Sequence, residues 1–98
     1  MNKRNPVWII ANENLSQTEI LQNIKDNYIM PEDNNIVLLY GNGMSHEVYD
    51  WCKLHSWTSV KYDEFKGCES SVTILYHVDY QHPEYYSRAT NGLIIVHM

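Results

Sequence analysis

Short apolar runs alternate with segments of helical period along this chain, and that alternation restricts the fold more than any other feature. The first run, Val7-Trp8-Ile9-Ile10-Ala11, is continuous rather than alternating, as in a strand covered on both faces. Asn12 to Leu15 reads as a loop, and Ser16 followed by Glu19 matches a capping box. Ile20, Leu21, Ile24 and Tyr28 then recur at helical spacing, with Pro31 just past the expected helix end. A second run, Ile36 to Tyr40, is broken by Gly41-Asn42-Gly43. Ser45 is placed to cap a second helix, whose stripe is Met44, Val48, Cys52 and His55 with Trp51 beside it. The third run, Trp57 to Tyr62, is shorter and more polar and so belongs nearer a sheet edge. Asp63 to Ser71 reads as a loop and Val72 to Val78 as a fourth strand. Asp79 to Pro83 breaks it, and Pro83 suits the first turn of a helix over Glu84 to Ala89. Asn91-Gly92 reads as that helix's C-cap signal, and Leu93 to Val96 as the fifth strand.

This order predicts an α/β domain in three layers: a mostly parallel five-stranded sheet with helices on both faces, RecA-like or Rossmann-like. With 98 residues there is room for a single domain, 1–98, and no repeat or linker divides it. Hydrophobic residues make up 44% and charged residues 19%, which excludes a disordered chain. The net charge is -5 and the seven basic residues are scattered, only Lys3 and Arg4 standing together. That distribution argues against nucleic acid as the partner of the isolated chain, because such binding relies on clustered Lys and Arg. No apolar run approaches a membrane span and no signal peptide precedes the first run, so no membrane role is expected. Two cysteines, Cys52 and Cys68, make no disulfide framework, and an intracellular setting, cytoplasmic or nuclear, is the expectation. In parallel sheets ligands bind at the carboxyl ends of strands, which directs attention to Asn12–Leu15, Gly41–Ser45, Asp63–Ser71 and Asp79–Pro83.

Two segments carry candidate chemistry. In Phe65-Lys66-Gly67-Cys68-Glu69, Gly67 permits a backbone shape closed to other residues. Lys66 and Glu69 bracket that point, a pairing suited to a ribose hydroxyl or a phosphate; a tight turn with two solvated charges is the plainer alternative. In Tyr85-Tyr86-Ser87-Arg88-Ala89, Arg88 stands just before the last strand and is suited to bidentate contact with an anion. Its plainer role is an ion pair with Glu84 at i, i+4 spacing.

Together and in this order, the aromatic-Lys-Gly-x-Glu pattern before an apolar strand and the later Tyr-x-x-Arg-Ala before Leu-Ile-Ile-Val resemble the second RecA-like domain of superfamily-one helicases of the UvrD type. The resemblance covers Asp63 to Val96 with specific residues; before that, only the strand–helix order agrees. It implies that Gly67 and Glu69 belong to a loop contacting nucleotide or coupling it to the bound strand. It implies that Arg88 reaches the γ-phosphate across a cleft between two RecA-like domains. The sequence departs from the family in two ways. No Gly-x-x-x-x-Gly-Lys-Ser/Thr segment exists, so the phosphate-gripping loop of a first domain is missing, with its acidic magnesium-binding residue. The second basic residue that often follows the motif arginine is replaced by Thr90 and Asn91. The expected role is therefore a non-catalytic binding or regulatory module. Its partner is a protein or a missing N-terminal domain, and ATP with magnesium enters only if a first domain is present. The alternative is a stand-alone flavodoxin-like interaction domain without nucleotide binding.

Other constellations are weaker. Cys52 and His55 share a helical face, but His46, His77, His82 and His97 have no spacing that completes a zinc set, so no metal is expected. Cys68 lacks a hydrolase signature around it, and His77 or His82 as its base has no orienting partner in view. Asp63, Glu64 and Glu69 read as a solvated acidic loop. No catalytic residue is assigned. Eight tyrosines stand in the chain, and Tyr76, Tyr80, Tyr85 and Tyr86 crowd one quarter of it. Tyrosine pairs an apolar body with a polar tip, which makes Tyr80, Tyr85 and Tyr86 interface candidates, with packing over a small core as the even alternative.

Overall fold

A computed structural model describes residues 5–10, 14–41, 45–64, 70–76 and 89–97. Five strands form one sheet: β1 (Val7–Ile10), β2 (Ile36–Tyr40), β3 (Thr58–Lys61), β4 (Ser70–Tyr76) and β5 (Ala89–His97). Their order across the sheet is β1-β5-β4-β2-β3, and every pairing is parallel. Helix α1 (Gln17–Tyr28) links β1 to β2, and α2 (His46–Leu54) links β2 to β3. Both of these connections cross the sheet in the same direction. Right-handed crossovers then place both helices on one face, and α1 and α2 are in contact.

The helices begin where the sequence places their caps. Ser16 has an extended backbone and its hydroxyl accepts the Glu19 N–H at 3.2 Å. Ser45 does the same for Val48 at 3.4 Å. A capping hydroxyl replaces one of the partners that the first turn of a helix lacks, a contribution of about 1 kcal/mol. Ser45 Oγ also donates to Gln17 Oε1 at 2.7 Å, which ties the first turns of the two helices together.

Alternation along the strands divides the core in two. Ile36, Leu38, Val72, Ile74, Tyr76, Ile94 and Val96 face the helices and pack with Ile20, Leu21, Ile24, Val48, Cys52 and Trp57. Val37, Leu39, Leu75, Leu93 and Ile95 form a second buried cluster, against which Val60 is packed. The central strands β5, β4 and β2 are thus buried on both faces, as expected of continuous apolar strands, whereas β1, read from its sequence as covered on both faces, alternates with Trp8 and Ile10 exposed because it lies at the sheet edge.

Several boundaries differ from the sequence expectation. β3 does lie at an edge, but it is trimmed at both ends. Trp57 is drawn out of it into the turn after α2, and Tyr62 opens a short 3₁₀ turn, Tyr62–Glu64. β4 starts at Ser70, inside the expected loop. The largest correction concerns Asn91-Gly92, which reads locally as a helix C-cap. Ala89 and both of these residues belong to β5, where Gly92 is buried and pairs with Val72. Cross-strand pairing overrides the local turn propensity there. The rest of the helix expected over Glu84 to Ala89 lies outside the described residues.

Candidate functional site

The residues on which the sequence bases a site, Lys66, Gly67, Glu69 and Arg88, lie outside the described residues, as do the interface candidates Tyr80, Tyr85 and Tyr86. The strands that these segments enter are described. Ser70, the residue after Glu69, opens β4, and Ala89, the residue after Arg88, opens β5. Ser70 and Ala89 are register partners on adjacent parallel strands. They mark the amino ends of those strands. The carboxyl-end rule therefore does not govern these two attachment points.

A network of polar groups surrounds that pair. Between Ser70↔Ala89 and Val72↔Gly92 the register shifts, so that Ser71 alone on β4 spans the same interval as Thr90 and Asn91 on β5. The extra residue makes a β-bulge, a feature enriched beside active sites and uncommon between parallel strands. The Thr90 hydroxyl donates to the Ser70 carbonyl at 3.2 Å. Asn91 Nδ2 donates to Asp33 Oδ1 at 2.9 Å, although 58 residues separate the two. The other Asp33 oxygen accepts the Met30 N–H at 2.8 Å, and the Asp33 N–H returns to the Met30 carbonyl at 3.0 Å. Ser71 Oγ donates to Asn34 Oδ1 at 2.9 Å, and the Ser71 and Val72 amides both donate to the Asn35 carbonyl. Ser70 and Thr73 bond through their hydroxyls. Three consecutive residues before β2 thus hold the starts of two other strands, Asp33 reaching β5 while Asn34 and Asn35 reach β4.

Sequence reasoning passed over Asp33, Thr90 and Asn91 as functional residues. The Asp33-Asn34-Asn35 run was visible as a set of side chains prone to bond nearby backbone, but the distant partner was not. Beside this network a cavity of about 80 Å³ opens between the carboxyl end of α1 and the sheet, with Val7, Tyr28, Met30, Val72, Gly92 and Ile94 among its lining. Gly92 contributes no side chain to fill it.

Elsewhere the structure supplies surroundings for residues that the sequence weighed for other chemistry. Cys52 is fully buried, and burial pushes its thiol up to about 11. Such a thiol stays protonated at neutral pH and is neither a nucleophile nor a ready metal ligand. His55 packs its ring on Trp51, with centroids 4.1 Å apart. Among the described residues no group of three or more His, Cys, Asp and Glu is arranged to hold a metal ion. Among them, too, no helix is long and apolar enough to cross a membrane.

Comparison with family models, with curated proteins and with solved structures gave no match.

Proposed function

We propose that the chain is a helicase-derived RecA-like domain that serves as a binding or regulatory module and does not hydrolyse nucleotide alone. Its partner is a protein or domain that carries the phosphate-gripping loop this sequence lacks. The observation that carries the reading is the pairing of Ser70 with Ala89. The Gly-x-Glu segment and the Arg88 segment enter neighbouring strands at the same end of the sheet. The described residues that follow the two motifs, Ser70 and Ala89, are thus partners in the sheet, which supports reading the motifs as parts of one contact. Glu69 would serve a hydroxyl of the ligand and Arg88 a phosphate, the latter by two parallel N–H bonds.

The purified chain is expected to release no phosphate from Mg–ATP, because neither a phosphate loop nor a magnesium-binding acid is present. Mg–ATP added together with a partner that carries the phosphate-gripping loop is expected to shift the amide resonances of Ser70 and Ala89, and Arg88→Ala to abolish those shifts. Turnover that survives purification and disappears in Arg88→Ala overturns the non-catalytic role. Unmoved Ser70 and Ala89 resonances overturn the nucleotide contact.

A second reading, a protein-interaction domain without nucleotide, is favoured by one observation. Trp8 is 49% exposed and Ile10 72% exposed on the edge strand β1, with Leu15 exposed just after it. The order β1-β5-β4-β2-β3 differs from the 2-1-3-4-5 order of flavodoxin-like sheets, so this reading rests on that surface alone.

A further inference from the structure

We propose that Asn91 is a modification site, at which spontaneous loss of the side-chain nitrogen turns its bond to Asp33 into a repulsion and releases the start of β5. The chemistry is that of the Asn91-Gly92 pair. The Gly92 amide nitrogen attacks the side-chain carbonyl carbon of Asn91. The bond from that carbon to Nδ2 breaks, the Gly92 amide proton passes through solvent to Nδ2, and the nitrogen leaves as ammonia. Water then opens the five-membered imide at either carbonyl. The product is an aspartate or, with the side-chain methylene drawn into the backbone, an isoaspartate. Glycine after asparagine favours the attack, because no side chain shields its nitrogen.

The folded chain restrains both reacting groups. Asn91 Nδ2, the atom that must leave, donates to Asp33 Oδ1 at 2.9 Å. Gly92, whose nitrogen must attack, is buried and paired with Val72. Closing the ring breaks the first contact and twists the backbone between the two residues out of the strand. The attacking nitrogen also acts in its deprotonated form, and a neighbouring carboxylate opposes negative charge there. Conversion therefore waits for local opening at the start of β5. After conversion, re-closing is opposed. Asp33 is only 8% exposed and already accepts the Met30 amide on its other oxygen. A carboxylate in place of the Asn91 amide offers Oδ1 no hydrogen and sets a like charge at hydrogen-bond distance. The isoaspartate form also lengthens the backbone of β5 beside its bulge, where pairing sets the register. Openings of β5 are thus recorded in the covalent structure of the chain.

The test holds the purified full chain in mildly alkaline buffer, folded or in urea, and maps its peptides by mass spectrometry. Conversion is read as the mass difference between amide and acid at Asn91, apart from Asn42-Gly43, the other such pair. In urea Asn91 is expected to convert readily, and Gly92→Ala to slow it. In the folded chain conversion is expected to be at least about tenfold slower. Asp33→Ala is expected to return the folded rate toward that in urea. Ser71→Ala, which loses the bond to Asn34 but keeps the tie between Asn91 and Asp33, is not. N91D mimics the product and is expected to lower the thermal midpoint by about 5 °C or more. Adding D33N is expected to restore the midpoint, since it gives the new carboxylate a donor. This pair tests the switch even where Asp33→Ala fails to fold. A folded chain that converts as fast as in urea overturns the restraint. Equal acceleration by Ser71→Ala overturns the part given to the tie, and N91D as stable as wild type overturns the switch.

Discussion

At the scale of single residues, two buried acids decide how the fold responds to alkali. Cys52 and Tyr76 belong to the same core cluster beneath α2. Burial pushes the Cys52 thiol up to about 11 from 9.0. Burial first, and then the negative charge of a Cys52 thiolate, push the Tyr76 hydroxyl up to about 12 from 10.0. Both groups are therefore neutral in the fold at pH values where the unfolded chain has begun to ionise. Their contribution to stability is complete below the unfolded pKa values. It declines as pH rises from about 9 and is lost once the folded values are passed. The urea midpoint is expected to hold steady up to about pH 8.5 and to fall by about pH 10.5. Cys52→Ala should flatten the first part of that fall, and a midpoint that stays level in the wild type would contradict the burial argument. The same burial implies that a thiol reagent labels native Cys52 only as fast as the chain opens.

At the scale of the element, the end of α2 is a Schellman motif built without glycine. The Trp57 amide donates to the Cys52 carbonyl at 2.8 Å and the Ser56 amide to the Lys53 carbonyl at 3.2 Å. This pair of bonds requires a left-handed residue between helix and strand, and Ser56 supplies it with φ 61°. A side chain in that region is strained where glycine is not. Ser56→Gly is expected to raise stability by about 0.5–1 kcal/mol, read as a higher thermal midpoint; a lower one would show that the serine makes a compensating bond. The motif also explains why Trp57 is lost from β3: its amide is committed to the helix and its ring packs edge-on to Trp51 at 4.7 Å. Local chemistry of this kind is what a sequence shows well. Ser16 and Ser45 announced both helix starts, and the Ile36–Tyr40 run matched β2 at both ends. Asn91-Gly92 misled for the same reason. Its dipeptide chemistry favours a turn, and only the pairing of Gly92 with Val72, brought together by the whole sheet, makes it a strand. The bond between Asn91 and Asp33 was illegible on similar grounds, since tertiary structure alone joins the two.

At the scale of the whole molecule, the sheet separates two small cores through single-residue alternation. Leu38 and Leu39 are both fully buried, yet they serve opposite faces. Removing either leaves a cavity that few neighbours can relax into. Leu38→Ala is expected to lower stability by about 3–5 kcal/mol, a large share of what a domain of this size holds. Chemical denaturation with fluorescence of Trp57, itself buried, measures the loss; a drop under about 1 kcal/mol would mean that the core collapses around the vacancy. The strand order itself could not be read from the run of strands and helices, which is compatible with several arrangements of five parallel strands. Only the handedness of the crossovers constrains it, and that rule ranks topologies without choosing one.

The strand order has a consequence for biosynthesis. Among the described strands β1 pairs with β5 alone, with Val7 opposite Ile94 and Ile10 opposite His97. Among the five described strands, Val7–Ile10 leaves the ribosome first and its mate β5 last. Throughout translation the Val-Trp-Ile-Ile segment therefore travels as an unclaimed apolar strip on a growing chain, the kind of exposed surface that chaperones attend. The pairing of β1 with β5 cannot form until residue 97 has emerged, so the earliest of the described strands waits for the latest.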